Sequence, residues 1–100
     1  MLFELDYIVK SICEKIGKNE KEIMKTIKLS NLKIEEYCMF LYLEKQKYST
    51  FVSYKNEEDL LEDLIKTGYD SFLYDIYCVP IINGKVLDYN FDEIKVNLIG

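Results

Sequence analysis

Apolar side chains recur three and four residues apart at the start of the chain. Leu5, Ile8, Val9, Ile12 and Ile16 fall on one helical face, and Gly17 supplies a stop, so the spacing predicts a first helix over about residues 3–16. Asn19 is placed to cap a second helix whose inner side chains are Ile23, Met24 and Ile27. Lys21, Lys25 and Lys28 form a narrow stripe opposite those residues, and Ser30 and Asn31 break the pattern.

Residues 33–47 carry two patterns at once. Ile34, Tyr37, Cys38, Leu41 and Tyr42 fit a helix flanked by Glu35, Glu36, Glu44, Lys45 and Lys47, and a third helix is the expectation. The unbroken run Tyr37–Leu43 also reads as a buried strand turning at residues 44–47. Residues 48–54 then alternate with the period of a strand. The next helix is well marked. Asn56 caps it, Glu57, Glu58 and Asp59 suit its positive end, Leu60, Leu61, Leu64 and Ile65 face inward, and Gly68 is the expected stop.

Asn83 and Gly84, set between Ile81-Ile82 and Val86-Leu87, predict a two-residue hairpin turn, because both turn positions require positive φ. That turn pairs Ile82 with Lys85 and fixes the alternation on both strands. The expected core face holds Phe72, Tyr74, Ile76, Cys78, Leu87, Tyr89 and Phe91. The expected half-exposed face holds Leu73, Asp75, Tyr77, Val79, Ile81, Val86, Asp88 and Asn90. Pro80, lacking an amide proton, belongs on an unpaired edge or at a bulge. The order α-α-α-β-α-β-β implies an α+β class: N-terminal helices, a small, mostly antiparallel sheet with helices on one face, and a C-terminal β-hairpin.

One hundred residues suit a single domain, read as 1–47 mainly helical and weakly basic and 48–100 strand, helix and hairpin, acidic. The charge is unevenly divided. Residues 1–50 hold nine lysines and eight carboxylates, and residues 51–100 hold four lysines and ten carboxylates, giving +1 and −6 of the total −5. Arginine, histidine, tryptophan and alanine are absent, a bias that fits an AT-rich genome. The opening residues include Glu4 and Asp6 and no basic stretch, unlike a secretory signal, and no apolar run is long enough to span a bilayer. Cys13, Cys38 and Cys78 are an odd number at wide spacing, without a CxxC pair, so reduced, buried thiols in a cytoplasmic protein are expected.

Residues 12–27 resemble a helix-turn-helix, with Ile12, Cys13, Ile16, Gly17 and Ile23 at its apolar and turn positions. Lys18 and Thr26 depart from the pattern, and no arginine is present to read guanine. Six lysines and two glutamates between residues 15 and 33 give +4, a charge suited to phosphates. Residues 56–75 oppose this with seven carboxylates and one lysine. Glu58 with Glu62, and Asp59 with Asp63, stack at i,i+4 and repel by a few tenths of a kcal/mol (about 0.2–0.5) per pair. Such a surface speeds association with a positive partner, and it also serves simply to keep a small apolar-rich protein soluble.

Without histidine there is no Ser-His, Cys-His or histidine–metal arrangement, and the scattered glycines form no phosphate loop. Asp75 with Glu93-Ile94-Lys95 is similar to the metal-dependent nuclease pattern of an Asp preceding an E-x-K strand, a combination that chance supplies readily in a Glu- and Lys-rich chain. No catalytic residue, metal or cofactor is therefore expected. The expectation is a small acidic binding or inhibitor protein of phage, mobile-element or immunity type. It would dock on a protein with a basic surface, such as a nuclease, through Glu57, Glu58, Asp59, Glu62, Asp63 and Asp70, extended by Asp75, Tyr77 and Asp88. The alternative is a helix-turn-helix regulator that contacts DNA through Lys18, Lys21, Lys25 and Lys28, and homodimerisation through the hairpin edge is a third possibility.

Overall fold

The computed structural model describes residues 5–27, 34–88 and 93. The 3.6-residue spacing at the start folds as α1, Leu5–Ile16, which buries Ile8, Val9, Ile12 and Cys13. Gly17 ends it at φ +71°, a left-handed conformation that favours glycine, and its amide donates back to the Cys13 carbonyl at 2.9 Å. Asn19 then caps α2, Glu20–Thr26, accepting from the amides of Lys21 at 2.9 Å and Glu22 at 3.4 Å.

The third expected helix is not formed. Residues 37–43 are instead β1, Tyr37–Leu43, turning through residues 44–47 into β2, Tyr48–Ser53. The physical reason is that both faces of β1 are covered. Cys38, Phe40 and Tyr42 pack toward α1 and α2, while Met39 and Leu41 pack toward the later helix. A strand sandwiched this way reads as a continuous apolar run, whereas a helix of the same sequence would turn part of that run to solvent. The order of the described elements becomes α-α-β-β-α-β-β. The α+β class itself holds.

The next helix, α3, runs Glu57–Tyr74 and does not stop at Gly68. Leu60, Leu64 and Gly68 are all buried along one i,i+4 stripe, and that packing offsets the roughly 1 kcal/mol helix penalty of glycine. The left-handed residue that ends the helix is Asp75, at φ +53°. Residues 72 and 74 therefore belong to the helix and not to the hairpin.

The hairpin comprises β3, Ile76–Ile82, and β4, Lys85–Val86, with Ile82 opposite Lys85 and Asn83 and Gly84 at φ +52° and +76°. The turn and register are as the sequence implies, but the burial of the two faces is reversed. Val79 and Ile81 are buried against α1 and α2, while Ile76 and Cys78 are half-buried on the α3 side. Tyr89, Asn90 and Phe91 lie outside the described residues.

Among the described residues, four antiparallel strands run in the order β2-β1-β3-β4, with α1 and α2 on one face and α3 on the other, so helices cover both faces and not one. Pro80 sits inside β3 opposite Met39, not at an edge strand or a bulge. Its carbonyl accepts from Leu87 N–H at 3.0 Å, so its nitrogen also faces β4, where the strand pairing among the described residues runs as far as Val86. At the far edge, Ile27 makes a parallel bridge with Ser49, and Thr26 Oγ1, which donates to the Ile23 carbonyl at 2.6 Å, also hydrogen-bonds Ser49. That contact partly covers the open side of β2.

Candidate functional site

Asn56 fixes the start of α3, its Oδ1 accepting from the Asp59 amide at 2.8 Å. With Leu60 and Leu64 turned to the sheet, helical geometry directs Glu58, Asp59 and Glu62 outward, and all three are exposed, as is Glu57. Carboxylates in the first turn also suit the positive end of the helix. Asp63 is set apart from them. It is half-buried and accepts from the Tyr54 hydroxyl and from Thr67 Oγ1 at 3.4 Å. Burial and the neighbouring Asp63 carboxylate both push the Tyr54 phenol well above its ordinary range. Lys66 shares the outer face, lining a shallow depression with Tyr54, Asp59, Glu62 and Asp63.

The other predicted partner-binding residues lie elsewhere. Asp75 pairs with Lys45 at 3.1 Å, and Asp88 pairs with Lys15 of α1. Tyr77 stacks on Tyr42 with centroids 5.9 Å apart, on the face opposite α3. Asp75, Tyr77 and Asp88 meet in a groove of about 990 Å³ along the outer side of β3. The side chain of Asp70 lies outside the described residues. One predicted acidic surface therefore resolves into two: an exposed helix face and a groove beside β3.

The lysine stripe is divided as well. Lys21 and Lys25 are exposed on α2, and Lys28 lies outside the described residues. Lys18 has turned inward. Its ammonium donates to Glu44 Oε1 and sits 5.4 Å from the Tyr77 ring centroid, while the Tyr77 hydroxyl donates to Glu44 Oε2 at 3.2 Å. Glu44 thereby ties the α1–α2 turn to the sheet, a role sequence spacing does not reveal because the partners are 26 and 33 residues away.

Glu44 also confers a pH dependence. Its hydrogen bond and charge contact with Lys18 hold its carboxyl below the usual carboxylate range, and the same bond raises the Lys18 ammonium. A carboxylate held low in the folded state stabilises it above the unfolded-state value and loses that contribution as pH falls through the depressed one. The raised lysine acts in the other direction, contributing below its ordinary value and losing this as pH rises through the raised one. Glu44→Gln is therefore expected to flatten the fall in melting temperature between about pH 5 and pH 2, read by circular dichroism at a series of pH values.

Beside this cluster, the Tyr42 hydroxyl is buried and has no hydrogen-bond partner among the described residues. A desolvated, unsatisfied hydroxyl costs about 1–3 kcal/mol, so Tyr42→Phe is expected to leave stability unchanged or raise it by about 1 kcal/mol in urea denaturation.

Among the described residues, no group of three or more cysteine or carboxylate side chains gathers into a metal site, and Glu93 is exposed while Lys95 lies outside them. Cys13 and Cys38 are buried, and burial raises both thiols. Cys78 is half-buried, not in the core, and burial with the nearby Asp63 charge pushes its thiol up to about 11, away from a reactive thiolate. Among the described residues, no helix is long and apolar enough to cross a membrane. Compared with known protein families, curated proteins and solved structures, the chain matches none.

Proposed function

We propose that this chain is a small, non-catalytic, cytoplasmic binding protein that sets the acidic outer face of α3 on a basic surface of a nucleic-acid-handling protein. In that role it inhibits or neutralises its target, as phage, mobile-element and immunity proteins do. One observation carries the reading. Glu58, Asp59 and Glu62 are exposed together on one helix face, whereas Asp63, Asp75 and Asp88 are engaged within the fold. Exposed carboxylates with no ion pair among the described residues steer a positive partner and fix its register, and an overall charge of −5 acts in the same direction.

The test is a tagged full-length chain used to capture its partner from the native host, followed by titration of the purified partner. A basic nucleic-acid-binding protein is expected. The double variant Glu58→Lys, Glu62→Lys should weaken it by about tenfold or more, mostly through the association rate and more strongly at low salt. Both side chains are exposed, so the variant should stay within about 0.5 kcal/mol of the parent in stability. Tight binding to duplex DNA at low salt, lost on Lys21→Glu with Lys25→Glu, would overturn this reading in favour of a DNA-binding regulator.

A further inference from the structure

The β1–β2 turn is tied by charge to three other parts of the fold. Lys45 pairs with Asp75 ahead of β3, Glu44 holds Lys18 in the α1–α2 turn, and Lys47 pairs with Glu22 in the first turn of α2 at 3.2 Å. Among the described residues, the last two are the ion pairs that join residues 17–22 to the sheet. The opposite end of α2 is held without charge: Thr26 hydrogen-bonds Ser49, Ile27 bridges to Ser49, and Ile23 has no exposed surface. One end of this helix therefore depends on protonation states and the other does not. Seven residues are too few for a helix to hold itself in place without such ties. Beneath the charged end lies a group that favours opening. Tyr42 stacks on Tyr77, over whose ring Lys18 sits at 5.4 Å, and the Tyr42 hydroxyl is buried without a partner among the described residues. Water reaching that hydroxyl recovers the hydrogen bonding that it forgoes in the closed fold.

We propose that residues 17–22 form a latched flap: loss of the Glu44 charge frees the N-terminal end of α2 from the sheet and wets the Tyr42 hydroxyl, while Thr26 and Ile27 stay seated. Glu44 meets Lys18 from the α1–α2 turn, the Tyr77 hydroxyl from β3 and the charge of Lys47 from its own turn, and its amide donates to the Asp75 carbonyl. The hydrogen bond from Lys18 is the main cause that holds the Glu44 carboxyl low. The latch is therefore closed above the ordinary carboxylate range and is lost as pH falls through the depressed value. Once Glu44 is protonated, Lys18 keeps its charge but has no carboxylate to offset its partial burial beside Tyr77, and its ammonium moves to water. The remaining tie, Glu22 with Lys47, is 48% and 59% exposed on its two sides and holds little alone. The flap lies on the face of the sheet opposite α3, so it goes beyond the proposed function and stands or falls separately from it.

Thiol labelling of the full chain tests it, with a pyridyl disulfide that reacts across the acid range and peptide mass spectrometry to separate the sites. Rates are taken relative to those of the urea-unfolded chain at the same pH. Cys13 is 4% exposed and lines a depression with Gly17, Lys18 and Asn19, whereas Cys38 has no exposed surface and hydrogen-bonds at Glu35 and Ser53. Opening of the flap uncovers Cys13 alone, and global unfolding uncovers both. At neutral pH, Glu44→Gln should raise the ratio of the Cys13 rate to the Cys38 rate by about tenfold, for the loss of one charge-assisted hydrogen bond. In the parent chain the ratio should climb by a similar factor as pH falls from about 6 to 3, and in Glu44→Gln it should stay flat. A flat profile there assigns the step to Glu44 and not to Asp88, whose carboxyl is also held low by its pairing with Lys15. Tyr42→Phe removes the hydroxyl that gains from wetting and should lower the ratio by about threefold or more. Should Glu44→Gln not fold, the pH profile of the parent and Tyr42→Phe carry the test. Two thiols that always move together, with a ratio indifferent to pH and to Glu44→Gln, would overturn the inference. So would a Tyr42→Phe chain that opens as readily as the parent.

Discussion

Ile81→Asp is expected to leave the chain largely unfolded at neutral pH, while Ile76→Asp, five residues earlier on the same strand, is expected to fold. Ile81 has no exposed surface and packs in the cluster that joins β1 and β3 to α1 and α2. Its loss removes a fully buried side chain and places there a carboxyl with no partner, together worth about 5 kcal/mol or more. A domain of this size holds about 5–15 kcal/mol in total, so the folded population should collapse. Ile76 is half-buried beside the open groove, where a carboxylate keeps access to water, and about 1–2 kcal/mol is the expected loss. Urea titration followed by circular dichroism reads both. Equal losses at the two positions would show that the burial of the β3 faces is not as described.

Phe40→Ala is expected to destabilise the fold by about 3–5 kcal/mol, the range for deleting a large buried ring. Phe40 is fully buried in the middle of β1, and its ring meets that of Phe51 on β2 at 5.1 Å and 60°. A tilted aromatic pair adds about 0.5–1.5 kcal/mol beyond the area that it buries. Phe40 also lies opposite Val79 of β3, so the cavity left by alanine would open between the sheet and the two N-terminal helices. The measurement is the urea midpoint at unchanged slope, which separates lost stability from a change in the denatured state. Phe40→Leu, which keeps most of the volume, should lose far less, about 1.5 kcal/mol or under.

Legibility in the sequence differed by element, for identifiable reasons. Local signals carried the ends of elements: Gly17 stops α1, Asn19 and Asn56 cap the next helices, and Asn83 with Gly84 makes the hairpin turn. Each depends on φ or on a side chain reaching an amide a few residues away, so no distant contact is involved. Gly68 misled because its local helix penalty is overridden by burial of the stripe that contains it. The candidate site was legible only in part. The outward position of Glu58, Asp59 and Glu62 follows from helical periodicity, but the pairings of Asp75 with Lys45 and Asp88 with Lys15 depend on which elements the fold brings together. The outward direction of the Pro80 nitrogen was within reach of the sequence, since Pro80 shares its parity with Ile82, the residue opposite Lys85 across the turn.

By itself the chain's sequence determined the class, the turn, the caps, the alternation along β3 and the charge imbalance between its halves. All of these arise from neighbours in the chain or from counts. Tertiary structure alone decided that Tyr37–Leu43 is a strand, which face of β3 is core, and which carboxylates remain outside ion pairs. When helices cover both faces of a sheet, both sets of alternating side chains are apolar, and periodicity loses its power to tell inside from outside. Only the placement of α1 and α2 against one face and α3 against the other breaks that symmetry.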